Sequence, residues 1–219
     1  MLANRMIMGA AGVEVWSDPP SWDLLDEPCN DFSSVITWAD GDNGNAVSEI
    51  SPAGQFRMDC NAANAADNDA KRSGDFGDSA DLMTTEIKLY HDALGTLANV
   101  DRAVFYIGMP GAATDLIVYC ASDGCLIRDA NPDNIEIGTN LVKVGEWQTW
   151  RFVTNSTAST VNVYLTDSTH TQKKVGTNIA FDWVALASGD ITIQQTGRTT
   201  NDMLMHVDYI KVATGAYPS

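Results

Sequence analysis

Hydrophobic and polar positions alternate with a period of two along much of this chain, and the clearest run lies between Trp147 and Asp167. Trp147, Thr149, Arg151 and Val153 fall on one face of an extended segment, and Gln148, Trp150 and Phe152 on the other. After a break of small polar residues at 155–159, Val161, Val163 and Leu165 alternate with Asn162, Tyr164 and Thr166. Two alternating runs separated by turn-forming residues predict a β-hairpin. Shorter runs predict strands near 35–38, 55–60, 82–91, 104–109, 116–120, 126–128, 170–175, 190–196 and 204–214. Turn residues recur every 8–12 positions or so, as in sandwiches and barrels, and no segment carries a helical period of 3.6. The pattern predicts an all-β chain folded as an antiparallel two-sheet sandwich.

Two stretches depart from the pattern. Between 60 and 82 the chain is nearly all Asn, Asp, Ala, Gly and Ser, with Phe76 as its one large apolar residue, which predicts a long surface loop. Residues 1–30 read as an extended arm. The pair Pro19-Pro20 and then Pro28 exclude regular structure over most of its second half. An edge strand near 13–16 on its own sheet and docking on a neighbouring subunit are both open to the arm. Residues 31–219 then form a single sandwich domain, a size this class reaches as one unit.

Composition narrows the partners. Against 13 Lys and Arg stand 29 Asp and Glu, a formal charge of −16 that repels polyanionic nucleic acid and anionic membrane faces. Lys71-Arg72 and Lys173-Lys174 are isolated basic pairs. No stretch approaches the roughly 20 apolar residues of a membrane span. The apolar opening MLANRMIMGAAGVEVW carries an arginine and lacks a continuous apolar core of about seven residues, so it is expected to remain as an arm rather than act as a signal peptide. Met6, Ile7, Met8 and Val13 are its docking residues.

Cys29, Cys60, Cys120 and Cys125 lack zinc spacing. In VYCASDGCLI, a loop of Ser122-Asp123 sets Cys120 and Cys125 directly opposite each other as a candidate disulfide. A loop of Asp123-Gly124 moves them apart and leaves free buried thiols.

GEWQTWRFVTNSTASTVNVYLTD resembles the W-x-T-Y/W-R … V-x-V-Y-L/V-D hairpin of concanavalin-like lectin/glucanase and laminin-G-like domains. MLMHVDYIKVATGAY resembles their closing strand, and CNDFSSVITWADGD with AGQFRMDC resembles their opening strands. The resemblance spans 29–215 and implies a concanavalin-like jelly-roll sandwich. That fold hosts lectins, glycosidases, lyases and inert modules alike, so activity must be argued from the site.

The glucanase branch uses E-x-D-x-(x)-E, whose two carboxylates stand about 5–5.5 Å apart on one sheet face. Here the glutamates are scattered singly, and the Gln-x-His of the lyase branch is absent: Gln194-Gln195 lack the histidine, and His91, His170 and His206 are isolated. The resemblance further implies a structural Ca²⁺ held by the closing-strand aspartate, matching Asp208. Asp40 and Asp42 are further oxygen ligands of the kind Ca²⁺ takes. Glycan binding in such modules stacks sugars on aromatic rings, for which Trp38, Trp147 and Trp150 are the main candidates and Trp22, Trp183 and Tyr217 the others.

Finally, ANRMIMGAAG resembles the start of bacteriophage tail and capsid-surface proteins. The combined expectation is a non-enzymatic virion-surface protein, a capsid decoration or tail component, that self-assembles or binds other virion proteins through its arm and engages glycans with its sandwich. The alternatives are a secreted lectin or carbohydrate-binding module, and a polysaccharide-cleaving enzyme.

Overall fold

The computed structural model describes residues 18–60, 68–77, 80–97, 102–107, 116–128, 134–155, 157–166, 172–180, 189–197 and 203–217. Met6, Ile7, Met8 and Val13, like Trp183 and His170, lie outside them. The described residues form fifteen strands: β1 (Leu25–Glu27), β2 (Trp38–Asp40), β3 (Ala46–Ile50), β4 (Phe56–Cys60), β5 (Asn68–Asp75), β6 (Leu82–Ala93), β7 (Arg102–Ile107), β8 (Leu116–Cys120), β9 (Cys125–Arg128), β10 (Asn134–Gly138), β11 (Trp147–Asn155), β12 (Thr160–Thr166), β13 (Gln172–Ala180), β14 (Asp190–Gly197) and β15 (Met203–Thr214). They make two antiparallel sheets. The larger runs β13-β12-β11-β6-β15-β4-β3, with β1 also paired to β15, and the smaller runs β10-β9-β8-β7-β14-β5-β2.

The inward faces of the two sheets meet in one apolar core. Phe56, Met58, Ile87, Leu89, Trp150, Phe152, Val163, Met205 and Ile210 come from the larger sheet; Phe105, Ile107, Leu116, Val118, Ile127, Ile191 and Ile193 come from the smaller. Burying each such side chain contributes about 1.5–3 kcal/mol. The 147–166 hairpin forms as the alternation predicts, with Trp150 opposite Leu165 and Phe152 opposite Val163 on the core side. The fold is the all-β, antiparallel two-sheet sandwich expected from the sequence.

Two expectations are corrected. The stretch between 60 and 82 is not one long loop, because its middle is β5, an inner strand between β14 and β2. Its inward residues are Asn68, Ala70, Arg72 and Gly74, so the alternation is one of burial without being one of hydrophobicity. The small residues answer to crowding. The Cys60 thiol reaches into the β5 backbone, accepting from Ala70 N at 3.4 Å. A Cβ on Gly74 would meet Ile36 Cδ1 at 2.5 Å and Trp38 Cε3 at 3.2 Å.

The second correction concerns 19–28, where a short strand survives among the prolines. Leu25, Asp26 and Glu27 pair with Val212, Lys211 and Ile210 of β15. Leu25 and Glu27 turn inward. The buried Glu27 carboxylate accepts hydrogen bonds from Cys29 N at 3.0 Å, Ser34 Oγ at 2.8 Å and Trp38 Nε1 at 3.1 Å. Three donors make a buried carboxylate tolerable, and here they fasten the segment that enters the sandwich.

Candidate functional site on the outer face of the larger sheet

The outward residues of β11, β6 and β15 form cross-strand rows. In the first row Trp147 stands opposite Tyr90, and Tyr90 opposite His206. The Trp147 and Tyr90 ring centroids are 5.4 Å apart, and those of Tyr90 and His206 are 6.2 Å apart. The second row is Thr149, Lys88 and Tyr209. The third is Arg151, Glu86 and Lys211, continued by Asp26 of β1.

The third row is the rigid floor of the site. Arg151 is 1% exposed although it points away from the core. Its Nε and Nη2 donate to Glu86 Oε2, and Tyr209 Oη donates to Glu86 Oε1 at 2.7 Å. Asp18 accepts from Arg151 Nη2 at 3.0 Å, and the Trp22 ring lies 5.7 Å from the guanidinium. Residues 18–22 therefore cover this end of the face. Burial first, and then the Glu86 carboxylate, push the Tyr209 hydroxyl above its ordinary pKa, so it remains a proton donor at any neutral pH.

Toward the first row the face opens to solvent. Trp147, Thr149 and Tyr90 are half-buried, with outer edges accessible. Two β-bulges shape this end. Asp208 is the extra residue of β15 between the Val207–Leu89 and Tyr209–Lys88 pairs, and Asp92 is the extra residue of β6 between the Met205–His91 and Leu204–Ala93 pairs. The bulges bring the Asp208 carboxylate to 2.8 Å from Lys88 Nζ and that of Asp92 to 3.8 Å from His206 Nε2. Lys88 Nζ also lies 5.2 Å from the Trp147 ring centroid and 5.8 Å from that of Tyr209. Lys211 Nζ lies 4.9 Å from the Tyr209 ring and 3.5 Å from Asp26.

The sequence-derived candidates are dispersed by this geometry. Trp147 stands on the open face. Trp38 is 3% exposed, edge-on to Phe56 at 5.3 Å, and Trp150 is fully buried and stacked on Phe152 at 6.2 Å, so neither ring has a face free for a ligand. Tyr217 lies at the opposite end of the face, its backbone N donating to Thr84 Oγ1 at 3.0 Å.

The three aspartates are separated and engaged. Asp208 holds Lys88. Asp40 Oδ2 faces Arg72 Nη2 at 3.4 Å, and Asp42 accepts from Ser48 N, Ser48 Oγ and Lys71 N. Among the described residues no three of His, Cys, Asp and Glu come together as a metal would require. Each of the three carboxylates instead stands beside a cationic side chain or a backbone donor.

Cys120 and Cys125 are directly opposite in the β8–β9 ladder, with Ser122-Asp123 at the turn. The sequence reading missed Glu86, Lys88, Tyr90 and Tyr209. Their signal was nevertheless present, since Thr84, Glu86, Lys88, Tyr90 and Asp92 form an unbroken polar register opposite Met83, Ile87 and Leu89.

Chemically the face offers ring edges and faces beside short polar groups. Both oxygens of Glu86 are occupied by fixed donors, which suits a positioning element rather than a free acid or base.

No protein-family profile and no curated protein matches the chain. Solved structures do. The lectin I of Ulex europaeus, determined with the methyl glycoside of α-L-fucose, aligns with a TM-score of 0.63 at 9% identity, over 87% of this chain and 97% of the lectin. A carbohydrate esterase of the Shiga toxin-encoding bacteriophage phi24B aligns with a TM-score of 0.54 at 14% identity, over 88% of this chain and 98% of the esterase. A sialidase aligns with a TM-score of 0.61 at 11% identity over 86% of this chain, which spans only 18% of that enzyme. Identities this low carry the architecture and not the activity, and the architecture they share with this chain is the concanavalin-like β-sandwich.

Proposed function

We propose that this protein is a glycan-binding sandwich that recognises neutral oligosaccharides on the outer face of its larger sheet. The observation that carries the reading is the half-buried Trp147–Tyr90 ring pair, backed by the more deeply set His206 and bordered by Thr149, Lys88 and Asp208. Aromatic rings bury the apolar face of a pyranose, while neighbouring hydroxyl, ammonium and carboxylate groups fix its hydroxyls. The cations described on this face each stand beside a carboxylate: Lys88 with Asp208, Lys211 with Asp26, Arg151 with Glu86, and Arg57 with Glu49 and Asp59. With a net charge of −16 around it, such a face favours uncharged sugars over polyanionic ones. The lectin likeness is consistent with this reading, and the occupied Glu86 favours binding over cleavage.

Affinity electrophoresis in gels containing neutral and acidic polysaccharides tests it. A neutral glycan should retard the protein, and Trp147→Ala should abolish the retardation without changing mobility in a blank gel. Retardation by acidic polymers only, or release of reducing ends, would overturn the reading.

A second reading places the sandwich on a virion surface, attached by residues 1–17. It draws on Asp18, the first described residue, which is tied to the outer face of the larger sheet through Arg151. Light scattering on the chain with and without residues 1–17 tests attachment. Loss of assembly on truncation supports it, and an assembly that survives truncation removes it.

A further inference from the structure

We infer that Cys120 and Cys125 are a modification site: an intrachain cross-strand disulfide that closes when the chain folds in contact with a small-molecule disulfide such as oxidised glutathione. The two residues are paired across the β8–β9 ladder, and the Cys125 thiol donates to Cys120 Sγ at 3.4 Å. Ala121 N donates to Gly124 O at 2.9 Å one step nearer the turn, so 120 and 125 form the adjacent pair without ladder hydrogen bonds. That is the closer type of antiparallel pair, with Cα atoms about 4.5 Å apart, inside the range a disulfide spans. Closing the bond draws the sulfurs together by a little over 1 Å, within the reach of side-chain rotation.

The remaining cysteines are committed elsewhere. The Cys60 thiol donates to Gln195 O at 2.7 Å, and Cys29 Sγ lies 4.0 Å from its acceptor, Glu27 O. Pairing is therefore specific to 120 and 125 among four buried thiols.

The hairpin tip also clamps the segment that leaves β6, the central strand of the proposed sugar face. Ser122 N and Oγ both donate to Gly95 O, at 3.0 and 2.7 Å, and Asp123 Oδ1 accepts from Leu97 N at 2.9 Å. A staple across 120–125 fixes the tip to which that segment is tied.

The reaction balances as two exchanges. One cysteine thiolate attacks the glutathione disulfide and releases one glutathione thiol. The second thiolate attacks the mixed disulfide, forming Cys120–Cys125 and releasing the second glutathione thiol; the two cysteine protons end on the two leaving thiols. Both sulfurs are fully buried in the folded chain, and burial raises the Cys120 thiol, so exchange proceeds before the sandwich closes.

The full chain, unfolded in reductant, is refolded in a glutathione buffer rich in the oxidised form and then alkylated under denaturing conditions. Intact mass should show two alkylated cysteines and two protected ones, and peptide mapping should show the 120–125 link. Refolded this way, the protein should melt about 4–8 °C above the reduced form, as expected for a short closed loop in a domain of this size. The Cys29→Ala/Cys60→Ala variant should retain the link and keeps the test valid if Cys120→Ala/Cys125→Ala folds poorly. Four alkylated cysteines after oxidative refolding, or a bridge through Cys29 or Cys60, would overturn the inference.

Discussion

Arg151 shows how one residue can be polar by type and buried by position. Its guanidinium is satisfied by Glu86 and Asp18 and covered by Trp22, so truncating it leaves the Glu86 carboxylate without its counter-charge. Breaking a buried pair from one side costs about 3–5 kcal/mol. Chemical denaturation of Arg151→Ala should show a loss of that order, and a loss under about 1 kcal/mol would mean that the pair is solvated. His91 is the converse case, 1% exposed in the core with neither ring nitrogen bonded among the described residues. Burial lowers its pKa to about 3, whereas the unfolded chain titrates near 6.5. Between those values the unfolded state binds the extra proton, so stability falls as pH drops from about 6.5 toward 3, by up to about 1.4 kcal/mol per unit. Urea midpoints at pH 7 and pH 5 should differ more in the wild type than in His91→Leu. Equal differences would place the acid sensitivity elsewhere.

At the scale of elements, the β11–β12 hairpin ends in a tight return. Ala158 N donates to Asn155 Oδ1 at 2.9 Å, and Ser159 sits at φ 50°. A serine held there carries about 1–2 kcal/mol of strain, against about 0.5–1 kcal/mol of extra backbone entropy that glycine loses on folding. Ser159→Gly should therefore stabilise the protein by about 0.5–1 kcal/mol in thermal melts, and destabilisation would show that the serine side chain makes a contact of its own. The same hairpin was fully legible in the sequence because its inward residues are Trp150, Phe152, Val161 and Val163. β5 was not, because its inward residues are Asn68, Ala70, Arg72 and Gly74, chosen for close approach to Cys60 and Trp38 rather than for hydrophobicity. β1 was hidden by the prolines that flank it. The site was legible in part. Trp147 and the outward register of Thr149 and Arg151 could be read directly, but their pairing with Glu86, Lys88, Tyr209 and His206 depends on strand neighbours more than 55 positions away. Nothing local announces that pairing.

The whole molecule combines a strongly acidic surface with one face where cations and carboxylates are matched in cross-strand rows. One end of that face is sealed by residues 18–22 and the other is open around Trp147 and Tyr90. This asymmetry turns a general sandwich into a directed one, with a rigid ionic floor under one edge and an aromatic platform at the other. The proposed role of the platform is to bind sugar. Its most direct test is calorimetric titration of a neutral oligosaccharide, chosen as the one that retards the protein in gels, into the wild type, Trp147→Ala and Tyr90→Ala. Binding should weaken at least about tenfold in each variant, a loss of roughly 1.4 kcal/mol, while their melting temperatures stay near that of the wild type. Unchanged affinity in both variants would contradict it and place any glycan site away from this face.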